Sequence, residues 1–265
     1  SILLATDGSE FSRGAERIAL NIADECGAKL YVVYVVYYNP EHMSMAIQEV
    51  ETQKSKAREI LERVKREAIE REIEVETKIH MAEEIEKGIA EVAKDLYVNL
   101  IVMGRRGVRG LAKYFIGSAT LGIIPIAPCP VLIAPKGADF RGRGLLAATD
   151  GSEVSMRAIE FMCDMASRMQ LPVVVLSVAK DASERAKAEE ALKKAEEFLK
   201  GYNIKAEILL HIGEPYRVIL DVVTQRDLDL IVLGNRGLKG VSKLILGSVS
   251  EKVVANSDRG VLIVK

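Results

Sequence analysis

The chain has 265 residues and a formal net charge of −1, with 49% hydrophobic and 28% charged residues. That length predicts one to two domains, and that balance excludes a disordered polymer. The near-neutral charge argues against a coat for nucleic acid or anionic membrane, and 5 Phe, 8 Tyr and no Trp leave little for base-stacking platforms.

Taken in order, strand-like and helix-like segments alternate. Ile2–Thr6 is an apolar strand. The chain opens directly on this strand, so Ser1 is expected not to be the natural first residue; no signal-like segment opens it, and the compartment is expected to be the cytoplasm. Glu10–Cys26 carries Ala15, Ile18, Ala19 and Ile22 at helical spacing. Leu30–Val36 is a nearly continuous apolar run, as in a strand covered on both faces. A long helix follows, with Ile47, Val50, Ala57, Ile60, Leu61, Val64 and Ala68 on its apolar face. Ile73–Ile79 alternates strictly, which predicts a wet face or a sheet edge. Ile85, Ile89, Val92 and Leu96 predict another helix, Leu100–Met103 a buried strand, and Val131–Ala134 the last strand of this half. Lys136–Gly144, rich in Gly, Lys and Arg, reads as a short linker. No apolar run reaches the ~20 residues of a membrane span.

The series then repeats as Leu145–Thr149, Ala158–Met169, Val173–Val178, Ala182–Leu199, Ile204–Leu210, Tyr216–Val223, Leu230–Leu233 and Val261–Val264. Ala5-Thr6-Asp7-Gly8-Ser9-Glu10 returns 143 residues later as Ala148-Thr149-Asp150-Gly151-Ser152-Glu153. Leu100-Ile101-Val102-Met103-Gly104 returns 130 residues later as Leu230-Ile231-Val232-Leu233-Gly234. The mismatch of 13 places extra residues in the first half, at Tyr37–Thr52 with its Asn39-Pro40 turn signal. Alternating strands and helices demand parallel strands with right-handed crossovers. The expectation is two tandem doubly wound α/β/α domains, 1-136 and 144-265, each with a parallel five-stranded sheet. Ligands in such sheets bind beyond the carboxyl ends of the strands, where strand order reverses.

After Leu100–Met103 comes Gly104-Arg105-Arg106-Gly107, nine residues, then Gly117-Ser118; after Leu230–Leu233 comes Gly234-Asn235-Arg236-Gly237, nine residues, then Gly247-Ser248. Glycines there can take positive φ and let a ligand approach the backbone. Gly117-Ser118 and Gly247-Ser248 open the next helix, whose N–H groups, dipole and hydroxyl suit a phosphate, although Ser is also an ordinary N-cap. Arg105, Arg106, Arg109 and Lys113, or Arg236, Lys239 and Lys243, either add charge for that phosphate or form a solvated face. Asp7 and Asp150 follow the first strand of each half, so each could accept from a ribose hydroxyl. Each also fits a capping box with Glu10 or Glu153, and both roles can coexist.

Together the T-D-G-S opening, the I-V-M-G strand end, the G-x2-G-x9-G-S loop and Ala127-Pro128-Cys129-Pro130-Val131-Leu132 resemble the universal stress protein family, over nearly the whole chain and twice in tandem. The loop resembles that family's ATP-binding branch. The resemblance implies a Rossmann-like fold of the adenine nucleotide alpha hydrolase type, with ATP or AMP as ligand and Mg as a candidate companion of ATP. It implies a first site of Asp7, Gly104, Gly107, Gly117 and Ser118, with Val35 offering backbone to adenine. It implies a second site of Asp150, Val178, Gly234, Gly237, Gly247 and Ser248. It also implies that Val131–Ala134 and Val261–Val264 pair within the chain as a pseudo-dimer, with a further homodimer as an option. This sequence departs from the family at Gly117–Gly122 with Pro125, at Ser257–Gly260 without Cys-Pro, and at Ala5 and Ala148 where many relatives have Pro.

No P-loop, G-x-S-x-G elbow or H-E-x-x-H helix is present. His42, His80 and His211 are scattered, and Cys26, Cys129 and Cys163 stand alone as buried thiols rather than a disulfide framework. No catalytic or metal-ligating residue is assigned. Three functions follow: a regulatory stress-response module that binds adenine nucleotide, a slow ATP hydrolase or phosphotransferase on the same loops, or an interaction scaffold with vestigial sites. Neither nucleic acid nor membrane is expected as a partner.

Overall fold

Leu3, Leu4, Ile101, Val102 and Leu132 are fully buried, as continuous apolar strands must be when helices cover both faces of a parallel sheet. Each such side chain contributes about 1.5–3 kcal/mol through burial. The computed structural model describes residues 1–40, 43–107, 115–202, 204–237 and 246–265. They form two units, Ser1–Ala138 and Asp139–Lys265.

The first unit runs β1 (Ile2–Ala5), α1 (Arg13–Cys26), β2 (Leu30–Tyr37), α2 (Met43–Glu70), β3 (Val75–Ala82), α3 (Ile85–Asp95), β4 (Leu100–Gly104), α4 (Ser118–Ile126) and β5 (Val131–Ala134). Its strands are all parallel, in the order β3-β2-β1-β4-β5. The second runs β6 (Leu145–Ala148), α5 (Glu153–Met169), β7 (Val173–Ala179), α6 (Arg185–Leu199), β8 (Ala206–Ile212), α7 (Pro215–Gln225), β9 (Leu230–Gly234), α8 (Ser248–Asn256) and β10 (Gly260–Val264). Its parallel order is β8-β7-β6-β9-β10. Strand order reverses between β1 and β4 and between β6 and β9, so both units are doubly wound. Right-handed crossovers put α1 and α2 on one face and α3 and α4 on the other. The bond from Arg63 of α2 to Glu16 of α1, and the packing of α3 on α4, agree.

Sequence spacing and structure differ at three places. First, Ile73 is buried but precedes β3. Its N–H reaches back to Ala68 O at 3.0 Å beside Glu72 at φ 58°, closing α2 in a left-handed cap. Second, the extra residues of the first half fall mostly at a helix: the repeat offset is 143 at β2 and β7 and 131 at β3 and β8, so 12 of the 13 lie between β2 and β3, where α2 has 28 residues against 15 in α6. Third, the linker is tied down. Arg17 Nη2 donates to Lys136 O at 2.7 Å and Ala138 O at 2.9 Å. In the second unit, the fully buried Asp229 accepts from Arg141 N–H (3.0 Å), Arg143 N–H (2.7 Å) and Arg143 Nε (2.8 Å). No described helix is long and apolar enough to cross a membrane.

Candidate functional site

Beyond β1 the chain must turn sharply, and Gly8 takes φ +69°, as Gly151 takes +78° after β6. A Cβ on Gly8 would stand 2.2 Å from Ile60 Cδ1. Thr6 Oγ1 accepts from the Gly8 N–H and Thr149 Oγ1 from that of Gly151, each at 3.1 Å. Asp7 Oδ1 accepts from Ser9 N–H (3.0 Å), Ser9 Oγ (2.6 Å) and Ser12 Oγ (2.5 Å). Asp150 Oδ1 accepts from Ser152 N–H at 3.1 Å. These are Asx turns, which corrects the capping-box reading. The caps are Ser12 and Ser152, and only Ser152 bonds its helix, accepting from Ser155 N–H at 3.2 Å. Accordingly α1 starts at Arg13, three residues after Glu10.

The glycine loops leave β4 and β9 on the far side of the strand-order reversal. Among the described residues none of their glycines has the positive φ open to Gly104 and Gly107; at Gly104, Gly107, Gly234 and Gly237 close approach explains the glycine instead. A Cβ on Gly107 would stand 2.9 Å from Asp7 Oδ2, and one on Gly237 2.3 Å from Asp150 Oδ2. A Cβ on Gly234 would stand 2.9 Å from Val154 Cγ1, and one on Gly104 3.0 Å from Phe11 O. The loops are pinned: Arg105 N–H donates to Ala134 O (2.8 Å) and Gly117 N–H to Arg105 O (2.9 Å). Asn235 N–H donates to Val264 O and Gly247 N–H to Asn235 O, both at 2.7 Å. Thr120 Oγ1 donates to Gly104 O (3.1 Å), and Ser250 Oγ to Gly234 O (2.8 Å), holding α4 and α8 against the loops. Gly117 and Gly247 cap these helices without a side chain, so the first-turn N–H groups have no side-chain cap.

Strand ends supply the opposite wall. β1 pairs with β2 only as far as Ala5 opposite Val33, while β2 continues to Tyr37 against β3. Val33 O accepts from Thr6 N–H at 3.1 Å, so the backbone of Val35, two residues on, also points to the β1 side, where the strand has ended. In the second unit Leu176 O accepts from Thr149 N–H at 2.9 Å, and Val178 stands in the same relation to β6.

Each set encloses a cleft, of about 380 Å³ in the first unit and 450 Å³ in the second. Every residue predicted for the two sites lines its cleft: Asp7, Val35, Gly104, Gly107, Gly117 and Ser118 the first, and Asp150, Val178, Gly234, Gly237, Gly247 and Ser248 the second. Arg106 and Arg236 also line them, and Arg236 Nε is buried without a hydrogen-bond partner among the described residues. Arg105 is buried and outside the lining. Arg109, Lys113, Lys239 and Lys243 lie outside the described residues.

Sequence reasoning missed Thr6, Tyr34, Tyr37, Gln53 and Phe115 of the first cleft, and Thr149, Ser177, Lys180, Glu184 and Lys187 of the second. The repeat offset that pairs Asp7 with Asp150 also pairs Thr6 with Thr149 and Tyr34 with Ser177, so that signal was available. Burial, and then the Asp7 charge, push the Tyr34 phenol up, so it keeps its proton. Behind Thr6 lies a buried carboxylate. Glu16 accepts from Thr6 Oγ1 (2.8 Å), from Arg13 Nη1 (3.2 Å) and from Arg63 Nη2 (2.9 Å to each oxygen). The equivalent residue of the second unit is the buried Ile159. His80 and His211 line neither cleft, and His80 Nε2 lies 3.1 Å from Glu91.

Comparisons with known proteins agree with the fold and the repeat. The model of the universal stress protein family matches residues 1–135 and 143–265. A universal stress protein of Methanocaldococcus jannaschii is 36% identical over 142 residues, covering 51% of this chain and 81% of the relative. One from Synechocystis is 24% identical over 286 residues, covering 99% of this chain and 98% of the relative. The crystal structure of a universal stress protein from Archaeoglobus fulgidus superposes with a TM-score of 0.81 at 24% identity, covering 100% of this chain and 97% of that one. The chain belongs to the universal stress protein family, with the family domain present twice in tandem.

Proposed function

We propose that each domain binds an adenine nucleotide, ATP or AMP, and that the chain acts in the cytoplasm as a regulatory module of the stress response. One observation carries this reading. A carboxylate, a pinned glycine loop and an uncapped helix N-terminus converge on one cleft at the reversal of strand order, and do so in both units. The loop N–H groups and the first turn of α4 or α8 fit phosphate oxygens. The open backbone of Val35 or Val178 offers a donor and an acceptor to the adenine edge. Asp7 or Asp150 is placed to accept from the ribose. The orphaned Nε of Arg236 fits an anion in the second cleft. One Asp carboxylate per cleft also suits Mg, which takes one or two carboxylates plus phosphate oxygens. Occupancy would regulate by favouring one of two states with different partner affinities.

Isothermal titration of the intact chain with AMP and with ATP plus Mg tests the reading. Saturable heat that disappears when Asp7→Ala, Asp150→Ala and Gly237→Val are combined is the expected result. No heat from the intact chain at millimolar nucleotide would contradict it.

A further inference from the structure

The two glycine loops differ in what faces their arginine. The repeat pairs Arg106 with Arg236, and Phe11 with Val154. Each arginine precedes the second glycine of its loop and lines its cleft. Each also stands beside the uncapped helix: a Cβ on Gly117 would be 3.5 Å from Arg106 Cα, and one on Gly247 3.4 Å from Arg236 Cα. Phe11 and Val154 both abut the first glycine of their loop. Asp7 and Asp150 face Gly107 and Gly237 alike, so the carboxylates do not separate the two clefts.

The partners of the arginines do separate them. The Arg106 guanidinium carbon lies 4.7 Å from the centre of the Phe11 ring, within reach of cation–π attraction. Val154 has no ring to offer. Among the described residues Arg236 forms no ion pair or ring contact, and its buried Nε has no hydrogen-bond partner. A buried donor without an acceptor costs free energy until a ligand accepts from it. A guanidinium seated on a ring must instead give up that attraction before it can turn to a ligand. A phosphate entering the second cleft therefore meets a donor with nothing to lose, whereas one entering the first competes with a ring.

We infer that the second domain holds nucleotide more tightly than the first, with Arg236 as the residue that contacts the phosphate, so that the domains fill in order as nucleotide rises. The inference rests on the nucleotide reading above and adds a graded response to it: one chain separates low from high nucleotide by being half or fully occupied.

Isothermal titration of the full chain with AMP tests it, for the wild type, R236Q and F11V. The wild type should show two sites about tenfold apart in affinity. R236Q should weaken the tighter site by about that factor and remove the gap. F11V frees Arg106 from the ring and should strengthen the weaker site about threefold, a gain that damage to the fold does not give. Equal affinities in the wild type, a tighter site that R236Q leaves unchanged, or a weaker site that F11V does not improve would overturn the inference and leave the nucleotide reading standing. Absence of all binding from the intact chain would remove both.

Discussion

Gly237 shows how one missing Cβ can organise a site. Asp150 Oδ2 lies where that atom would be, at 2.3 Å, so a side chain there must push the carboxylate aside. Gly237→Val should halve the nucleotide stoichiometry measured by titration while the first cleft still fills; two undiminished sites would show that the Asp150 position is immaterial. Cys163 is a second residue with a definite consequence. Burial, with Asp164 and Glu160 adding to it, pushes its thiol from 9.0 up to about 11. The unfolded thiol ionises first, so its contribution to stability is complete below pH 9 and is lost as pH rises through 11. Urea midpoints should fall more steeply between these values for the wild type than for Cys163→Ala, and parallel slopes would contradict the shift. At this scale the sequence was misleading where two motifs use the same letters. Asp-Gly-Ser-Glu fits a capping box and an Asx turn alike, and Ser12 and Ser152 decide between them.

At the scale of elements, α1 and α2 meet through a buried ion pair that α5 and α6 lack. Glu16 is 2% exposed and is held by Arg63 and Thr6, whereas Ile159 fills the same position with apolar surface. Removing Arg63 leaves the buried Glu16 with Arg13 and Thr6 alone, at a cost of about 1–3 kcal/mol. Arg63→Leu should lower the first domain's stability by about that amount, and Glu16→Ile added to it should recover most of the loss. Chemical denaturation checks this, and equal losses in the single and double variants would show that the charge is not what matters. Strand positions were readable because apolar runs and β-branched residues mark them directly. The Glu16 pair was not, because a charged residue on a helix is usually solvated and only tertiary packing buries this one. Gln53 was hidden for another reason: the 12 extra residues between β2 and β3 break the repeat offset where a match to α6 would have revealed it.

The whole molecule is one fold written twice, and the duplication made most of the candidate site legible. Identical loop spacing after β4 and β9 pointed to the same sheet end in both units, and the clefts stand there. Lys180 at the position of Tyr37 was equally readable, yet it lies in no motif, so only the observed cleft draws attention to it. The central claim is that both clefts hold nucleotide. Native mass spectrometry of the full chain, freshly and gently purified and then supplied with AMP or ATP, tests it most directly. Species carrying one and two adenine nucleotides per chain are expected; a bare chain at every nucleotide concentration would show that neither cleft binds.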